Sequence, residues 1–310
     1  MTYLLRMLLQ GLCLVLRCLP SCLLPIALLL WWWQTRDTNS VYCLIGYVAL
    51  QVIYISIIEW CRRDRDITPV TDLEFGNPNA DKCIIMVHGF ADTPEAWRRE
   101  AEYLAEKGYR VVVPEIDHDA TAKVWLLRLF VEILNARDHA KHIELWGHSM
   151  GGALSIIIAS ITKVDRLVLW APFLAPYMGT FASTTLYLLH RLCFIWPYTL
   201  TWFPNNRRGK GDPETFYRVR RVIPTRTFTA ALSLPFVISL RRLFPKIKPI
   251  ILLSQHDTVV NNRPVRHRFP DAHYLLAANP RSSHALTNAV DWKENIDAIL
   301  EIPYETGNPL

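Results

Sequence analysis

Short apolar runs alternate with helical patterns from about Ile67 onward, and this alternation most constrains how the chain can fold. Runs such as KCIIMVHG from Lys82, HIELWGH from His142 and DRLVLWAP from Asp165 are rich in valine, isoleucine and leucine. Such runs are typical of strands that are covered on both faces. Helical segments lie between them, so the pattern predicts an α/β fold with a mostly parallel central sheet and helices on both faces.

The alternation is interrupted once, near the middle of the chain. It stops near Pro172 and resumes at KPIILLSQHD, which begins at Lys248. The sequence therefore predicts three parts: an N-terminal segment of residues 1–66, an α/β core of residues 67–171 and 248–310, and an insertion of residues 172–247.

A glycine-serine motif lies between a predicted strand and a predicted helix. Gly147, His148, Ser149, Met150 and Gly151 form a G-x-S-x-G pattern in a strand, turn and helix context. In such a turn the helix packs so closely on the strand that only glycine fits two residues before and after the serine, whose hydroxyl is lifted above the sheet. The motif predicts a nucleophile; the alternative is a capping serine in a glycine-rich turn.

A serine nucleophile requires a base, and the base requires a carboxylate that orients it. In this architecture the order along the chain is serine, acid and histidine, each on a loop after a strand. Asp257 follows IILLSQH, and His284 follows the last predicted strand. We therefore predict Ser149, Asp257 and His284 as catalytic residues, with Asp271 as the alternative acid, although it precedes a strand.

Backbone N–H groups are the usual stabilisers of the oxyanion that forms when a serine attacks a carbonyl. Met150 directly follows the candidate nucleophile, and Phe90 ends the HGF sequence after the first clear strand. We predict these two N–H groups as the oxyanion hole. An ordinary turn at the end of a strand is the alternative explanation of HGF.

Taken together, these motifs resemble the α/β-hydrolase superfamily, and more closely its monoglyceride lipase and bacterial carboxylesterase branch. The resemblance covers roughly residues 70–300 and implies a lid, formed by the insertion, and hydrolysis of medium or long acyl esters without a cofactor. Two features depart from the family pattern. Ser283 stands where glycine is common before the histidine, and the acid loop reads SQHD where a glycine is often found.

Two apolar runs precede the α/β core. Val41 to Ile58 contains 18 residues without a charge, which would make a helix about 27 Å long. Cys18 to Trp33 is a second apolar run that contains two prolines. The sequence predicts a transmembrane hairpin, and the flanking arginines place both of its ends, and hence the hydrolase domain, in the cytoplasm. The alternative for Cys18 to Trp33 is a signal peptide, which the three tryptophans at its end disfavour.

The insertion carries the positive charge of the chain. It contains eleven basic and two acidic residues, interleaved with aromatic residues, whereas the whole chain has a net charge of +6. This composition suits an insertion that binds a membrane surface with anionic lipids. The alternative is that the basic residues face solvent while the aromatic residues cover an apolar acyl tunnel. Nucleic acid is not expected as a partner, because no nucleic-acid-binding motif is present.

Cysteine usage indicates neither a disulfide framework nor a metal site. Five of the seven cysteines lie in the first 61 residues, and none shows C-x-x-C spacing, which favours a reducing compartment.

The sequence leaves the oligomeric state open. It predicts a membrane-anchored serine hydrolase of lipid-derived acyl esters, such as monoacylglycerols or lysophospholipids. The alternatives are an acyltransferase or thioesterase with the same residues, or a non-catalytic membrane scaffold.

Overall fold

The computed structural model describes residues 29–35, 38–63, 71–117, 120–175, 198–200 and 222–304. Its centre is a seven-stranded sheet with the strand order β1-β3-β2-β4-β5-β8-β9, and β6 and β7 form a separate two-stranded antiparallel sheet. The strands are β1 Leu73–Phe75, β2 Lys82–Val87, β3 Arg110–Val113, β4 His142–His148, β5 Arg166–Trp170, β6 Tyr198–Leu200, β7 Val222–Pro224, β8 Ile250–Leu253 and β9 His273–Leu276.

Six of the seven strands of the large sheet are parallel, which confirms the predicted α/β architecture. The central strands β5 and β8 are buried along their whole length, as expected where helices cover both faces. The edge strand β1 is the exception. It pairs antiparallel with β3, Leu73 opposite Val113, and its three residues are too few for an alternation pattern to show in the sequence.

Apart from the N-terminal helix, the helices form two layers, one on each face of the sheet. They are α1 Thr38–Arg63, α2 Arg98–Glu106, α3 Ala122–Arg137, α4 Met150–Ile161, α5 Thr225–Leu240, α6 Asn262–Arg268 and α7 Trp292–Glu301, with 3-10 turns at Pro94–Trp97 and Leu286–Asn288. Helices α3 to α6 pack around one hydrophobic cluster, which includes Leu129, Ile156 and Leu234. Helices α2 and α7 pack on the other face around Trp97, Trp146 and Trp170.

The predicted insertion is described only in part, since residues 176–197 and 201–221 lie outside the described residues. Its last segment forms helix α5. Ala231, Leu234 and Ile238 of this helix are buried in the core cluster beside α4. The predicted range 172–247 therefore includes a helix that covers the sheet as well as the segments expected to form a lid.

The N-terminal apolar runs are also described in part. Val41 to Ile58 lies within the 26-residue helix α1, whereas most of the run from Cys18 to Trp33 lies outside the described residues. Within the described ranges, no helix combines the length and the apolar character that crossing a bilayer requires. The predicted transmembrane hairpin is therefore not confirmed.

Candidate active site

Ser149 occupies a strained turn between β4 and α4. Its backbone has φ 52° and ψ −116°, a conformation that a non-glycine residue rarely adopts and that clusters at functional sites. Two backbone hydrogen bonds hold it: the Ser149 N–H donates to the Trp170 carbonyl, and the Ser149 carbonyl accepts from the Phe173 N–H, each at 2.9 Å. The end of β5 thus fixes the position of the serine.

Two glycines allow this turn to pack as closely as it does. A Cβ atom at Gly147 would lie 2.5 Å from the Gly151 carbonyl oxygen, and one at Gly151 would lie 2.2 Å from the Val87 carbonyl oxygen. Such distances are impossible for a side chain. Helix α4 therefore begins against the ends of both β2 and β4, as expected from the G-x-S-x-G pattern.

Three of the predicted site residues form one chain of hydrogen bonds. Ser149 Oγ lies 2.8 Å from His284 Nε2, and His284 Nδ1 lies 2.8 Å from Asp257 Oδ2. All three residues are buried. Because a carboxylate only accepts, Nδ1 carries the ring proton, and Nε2 is left to accept the proton of the Ser149 hydroxyl.

The carboxylate of Asp257 is itself held in place by backbone donors. Its Oδ1 accepts from the N–H groups of Val259 at 2.8 Å and Val260 at 2.7 Å. Burial has the largest single effect and raises the pKa of Asp257, but His284 and the two N–H donors together outweigh it and leave the pKa below its ordinary value. The ionised form, which can hold the imidazole, is thus favoured. The alternative acid, Asp271, is exposed and precedes β9.

The side chain of His148 makes a contact that the sequence did not indicate. Its Nε2 lies 2.9 Å from the carbonyl oxygen of His284 and donates to it. Its Nδ1 lies 3.7 Å from Asp92 Oδ2, and both of these residues are buried. His148 thus connects the turn that carries Ser149 with the loop that carries His284.

Two serine hydroxyls join the acid loop to the histidine loop. Ser254 Oγ donates to the Ser282 carbonyl, and Ser283 Oγ donates to the His256 carbonyl at 3.3 Å. Both bonds lie next to the contact between the Asp257 and His284 side chains. The only signal in the sequence was the departure from glycine at Ser283 and in SQHD, whose consequence becomes clear only when the two loops are seen together.

The predicted oxyanion donors follow adjacent strands. Val87 of β2 pairs with Gly147 of β4, so Phe90 and Met150, which follow these strand ends, lie at the same edge of the sheet. His88 fixes the loop before Phe90: its Nε2 accepts from the Ile116 N–H at 3.1 Å, and its Nδ1 donates to the Gly89 carbonyl at 3.0 Å. The arrangement places the Ser149 hydroxyl, the His284 imidazole and the candidate oxyanion residues at one edge of the sheet.

No group of histidine, cysteine or acidic side chains able to hold a metal ion occurs in the part of the chain that the structure describes. The groups that the described site brings together are a hydroxyl, an imidazole and a carboxylate. A buried serine with a hydrogen-bonded imidazole is suited to attack on an electrophilic carbonyl carbon.

Comparison with known proteins supports the assignment of the fold. The family model described as the α/β hydrolase fold matches residues 82–209. A curated relative, Lipase 1 of Psychrobacter immobilis, is 29% identical over 101 residues, which are 29% of this chain and 31% of the relative. The chain thus aligns with less than a third of that relative's length.

Two solved structures share the fold over most of the chain. One, reported for the metagenome-derived lipolytic enzymes LipS and LipT, has a TM-score of 0.64 at 18% identity and covers 75% of this chain and 96% of its own. The monoacylglycerol lipase of Paleococcus ferrophilus has a TM-score of 0.60 at 16% identity and covers 74% and 96%. With the parallel sheet and the family match, these likenesses show that the chain has the α/β-hydrolase fold.

Proposed function

We propose that this protein is a serine hydrolase that cleaves acyl esters through an acyl-enzyme intermediate. The observation that carries the proposal is the hydrogen-bonded chain from Ser149 through His284 to Asp257. In this mechanism Ser149 Oγ attacks the ester carbonyl carbon while His284 Nε2 takes the hydroxyl proton. Asp257 orients the ring and stabilises the imidazolium.

The remaining steps use the same groups. The oxyanion of the tetrahedral intermediate would accept hydrogen bonds from the N–H groups of Phe90 and Met150. His284 then gives its proton to the leaving alcohol, and the ester bond breaks. In the second half of the cycle His284 activates a water molecule, which attacks the acyl carbonyl and releases the acid and Ser149.

The substrate class that we propose is lipid-derived, as in monoacylglycerols or lysophospholipids. One relative is named a lipase and one similar structure a monoacylglycerol lipase, and both names describe enzymes of lipid esters. Near the predicted oxyanion loop, the Phe90 ring lies 5.7 Å from the ring of Phe228 on α5. An apolar pair beside the scissile bond would favour an acyl chain over a polar acid.

We further propose that the N-terminal segment associates with a membrane, with the hydrolase domain in the cytoplasm. Residues 29–35 and helix α1 carry exposed tryptophan, leucine, isoleucine and valine side chains, among them Trp33, Ile45 and Leu50. Exposed apolar surface of this kind is unusual in a protein surrounded by water only. The arginines that flank the apolar runs favour the cytoplasmic side.

The test is labelling with a fluorophosphonate probe, which reacts only with an activated serine. We expect labelling of the intact protein at Ser149 and none of Ser149→Ala, whose turnover should fall by about 10⁶-fold. Ser155→Ala is a matched control, because Ser155 is a buried serine one helical turn and a half further along α4. A folded protein that the probe does not label would instead indicate a non-catalytic scaffold.

The acceptor of the acyl group decides between a hydrolase and the alternatives. Esters of graded chain length, the matched thioesters, and a competing alcohol should be compared with the same preparation. We expect release of free acid from esters to dominate. Faster turnover of thioesters, or transfer of the acyl group to the alcohol in place of water, would show that the protein is a thioesterase or an acyltransferase.

A further inference from the structure

The outer surface of helix α3 is apolar, although its inner surface already supplies the core. Trp125, Leu129 and Ile133 are buried against the sheet. On the opposite side Val124, Leu127, Val131 and Leu134 are exposed, Leu127 by 59%. Their spacing of three and four residues aligns them along one side of the helix. Helix α3 therefore presents a continuous apolar stripe away from the core.

Neighbouring elements of the same layer extend this stripe. Ile161 at the end of α4, Phe236 and Leu240 on α5, and Phe244 just after α5 are exposed, Leu240 by 69%. Helices α3, α4 and α5 pack side by side over one face of the sheet. We refer to the outer surface of α3, α4 and α5, with residues 241–247, as the basic-apolar face.

The charges of this layer are predominantly positive. Helices α3 to α6 contain seven basic residues and a single acidic one, Glu132. Glu132 is nearly buried and pairs with Arg128 at 3.0 Å. Three further basic residues, Arg241, Arg242 and Lys246, are exposed directly after α5. Exposed apolar side chains on this layer are thus accompanied by positive charge.

The layer on the opposite face of the sheet has the reverse character. Helices α2 and α7 contain six acidic and three basic residues, and among the described residues they expose no large apolar side chain. Charged pairs occupy this surface instead, for example Arg98 with Glu95 and Lys107 with Asp297. The molecule is therefore polarised across its sheet, with a basic and apolar side and an acidic and polar side.

We propose that the basic-apolar face rests on a lipid bilayer that contains anionic headgroups. Apolar side chains would enter the boundary between headgroups and acyl chains, while the basic residues would lie at the level of the negative charges. The acidic layer would point away from the bilayer. A second copy of this chain is disfavoured as the occupant, because two faces of the same positive charge repel one another.

The position of the basic-apolar face relative to the candidate site agrees with an orientation in which this face rests on the bilayer. Helix α5 begins beside the site, where Phe228 contacts Phe90, and runs outward to the exposed Phe236 and Leu240. Helix α1 contacts β7, the strand that leads directly into α5. The apolar N-terminal segment, the basic-apolar face and the candidate site near Phe90 are thus connected through α5 and the strand before it.

The first experiment maps side-chain exposure by hydroxyl-radical footprinting of the full chain. The Ser149→Ala protein would be reconstituted in vesicles of phosphatidylcholine alone or with phosphatidylserine. We expect labelling of Leu127, Leu134 and Phe236 to fall severalfold when phosphatidylserine is present. Leu276 and Val290, which are exposed elsewhere, should keep their labelling. Equal labelling of the basic-apolar face in the two kinds of vesicle would overturn the proposal. Protection that depends on protein concentration and not on the lipid would also overturn it, because the face would then be covered by a second copy of the chain.

The second experiment removes each component of the face in turn. Arg241→Gln with Arg242→Gln should lower the ratio of docked to undocked protein by about 25-fold, since each basic residue near an anionic surface contributes about fivefold. The double variant Leu127→Glu and Val131→Glu should abolish the protection of the basic-apolar face from hydroxyl-radical labelling, whereas Val290→Glu should leave this protection unchanged. Unchanged protection in both double variants would contradict the proposal.

The inference rests on the proposed function only for the choice of a lipid substrate. Footprinting uses an inactive protein, so docking is measured without any hydrolysis. With the active chain, both double variants should hydrolyse a short soluble ester at the normal rate and a lipid ester in phosphatidylserine vesicles more slowly. A chain that docks but hydrolyses nothing would refute the proposed function and leave the docking face intact.

Discussion

The imidazole of His148 donates a hydrogen bond of 2.9 Å to the backbone carbonyl of His284, which lies 136 residues further along the chain. His148 directly precedes the candidate nucleophile, so the residue beside Ser149 holds the loop that carries its base. This contact fixes the distance between the two loops independently of the bond between Ser149 Oγ and His284 Nε2.

Loss of this contact should impair catalysis without removing any reacting group. We expect His148→Ala to lower kcat by about 100-fold with little change in KM, because a small displacement of a base has effects of that size. Steady-state kinetics on a soluble ester measure this split. His142→Ala, at the exposed start of β4, is the control, and a His148→Ala enzyme with normal kcat would show that the contact is only structural.

The carboxylate beside His284 should determine the active tautomer. Asp257→Asn is expected to lower kcat by about 10⁴-fold, since an amide favours the wrong tautomer of the ring. Asp271→Asn should have almost no effect, because Asp271 is exposed and lies before β9. The two variants are compared by ester turnover at one pH, and a larger loss in Asp271→Asn would mean that the acid has been assigned wrongly.

Ser283, which stands where proteins with similar motifs commonly carry glycine, should act as a positioning residue. Ser283→Ala removes the donor to the His256 carbonyl and should lower kcat by about fivefold, the effect of one ordinary hydrogen bond. Ser160→Ala is the matched control, because Ser160 donates to a carbonyl within α4, at 2.7 Å from Ile156. Equal kinetics in the two variants would remove the positioning role of Ser283.

Packing at the turn predicts a strong effect of one added methyl group. Gly151→Ala would place a Cβ atom 2.2 Å from the Val87 carbonyl oxygen, so β2 and α4 must move apart, at a cost of about 1–3 kcal/mol or more. Thermal unfolding should show a lower Tm. Gly46→Ala in α1 meets no atom within 4 Å and should leave Tm unchanged; a similar Tm for both variants would contradict the close approach.

Glu100 predicts how stability depends on pH. Its side chain is fully buried, neither carboxylate oxygen has a hydrogen-bond partner in the described part of the chain, and burial raises the pKa of Glu100 from 4.5 to about 8. The folded state binds the proton of Glu100 more tightly than the unfolded state does. The contribution of this proton to the free energy of unfolding is therefore complete below pH 4.5 and is lost as the pH rises to about 8.

Glu100→Gln imitates the protonated form and should remove this dependence. The Tm of the variant should exceed that of the natural chain increasingly between pH 5 and pH 8. Glu106→Gln, at an exposed position of the same helix, should show no such trend. A constant difference in Tm across this range would indicate that Glu100 ionises normally in the folded protein.

Local patterns in the sequence were enough to predict the central strands and the G-x-S-x-G turn. Strands β2, β4, β5 and β8 are charge-poor runs because both of their faces are buried. Burial on both faces selects apolar residues at consecutive positions, so the run can be recognised in the sequence. The requirement for glycine at 147 is equally local, since the clash that it avoids is with the Gly151 carbonyl of the same turn, whereas Gly151 avoids a clash with Val87 of the distant strand β2. Helix α4 begins at Met150, directly after the predicted serine.

Contacts between distant segments were decided by the tertiary structure alone. The sequence offered both Asp257 and Asp271, and only the parallel order of β8 and β9 brings the loop of Asp257 to His284. The contact from His148 to His284 and the pairing of β1 with β3 leave no periodic signal, because they depend on which strand ends meet. Likewise, the sequence located positive charge in the insertion, but only the packing of α5 beside α3 brings Arg241, Arg242 and Lys246 of that insertion to the layer that carries the apolar stripe of α3.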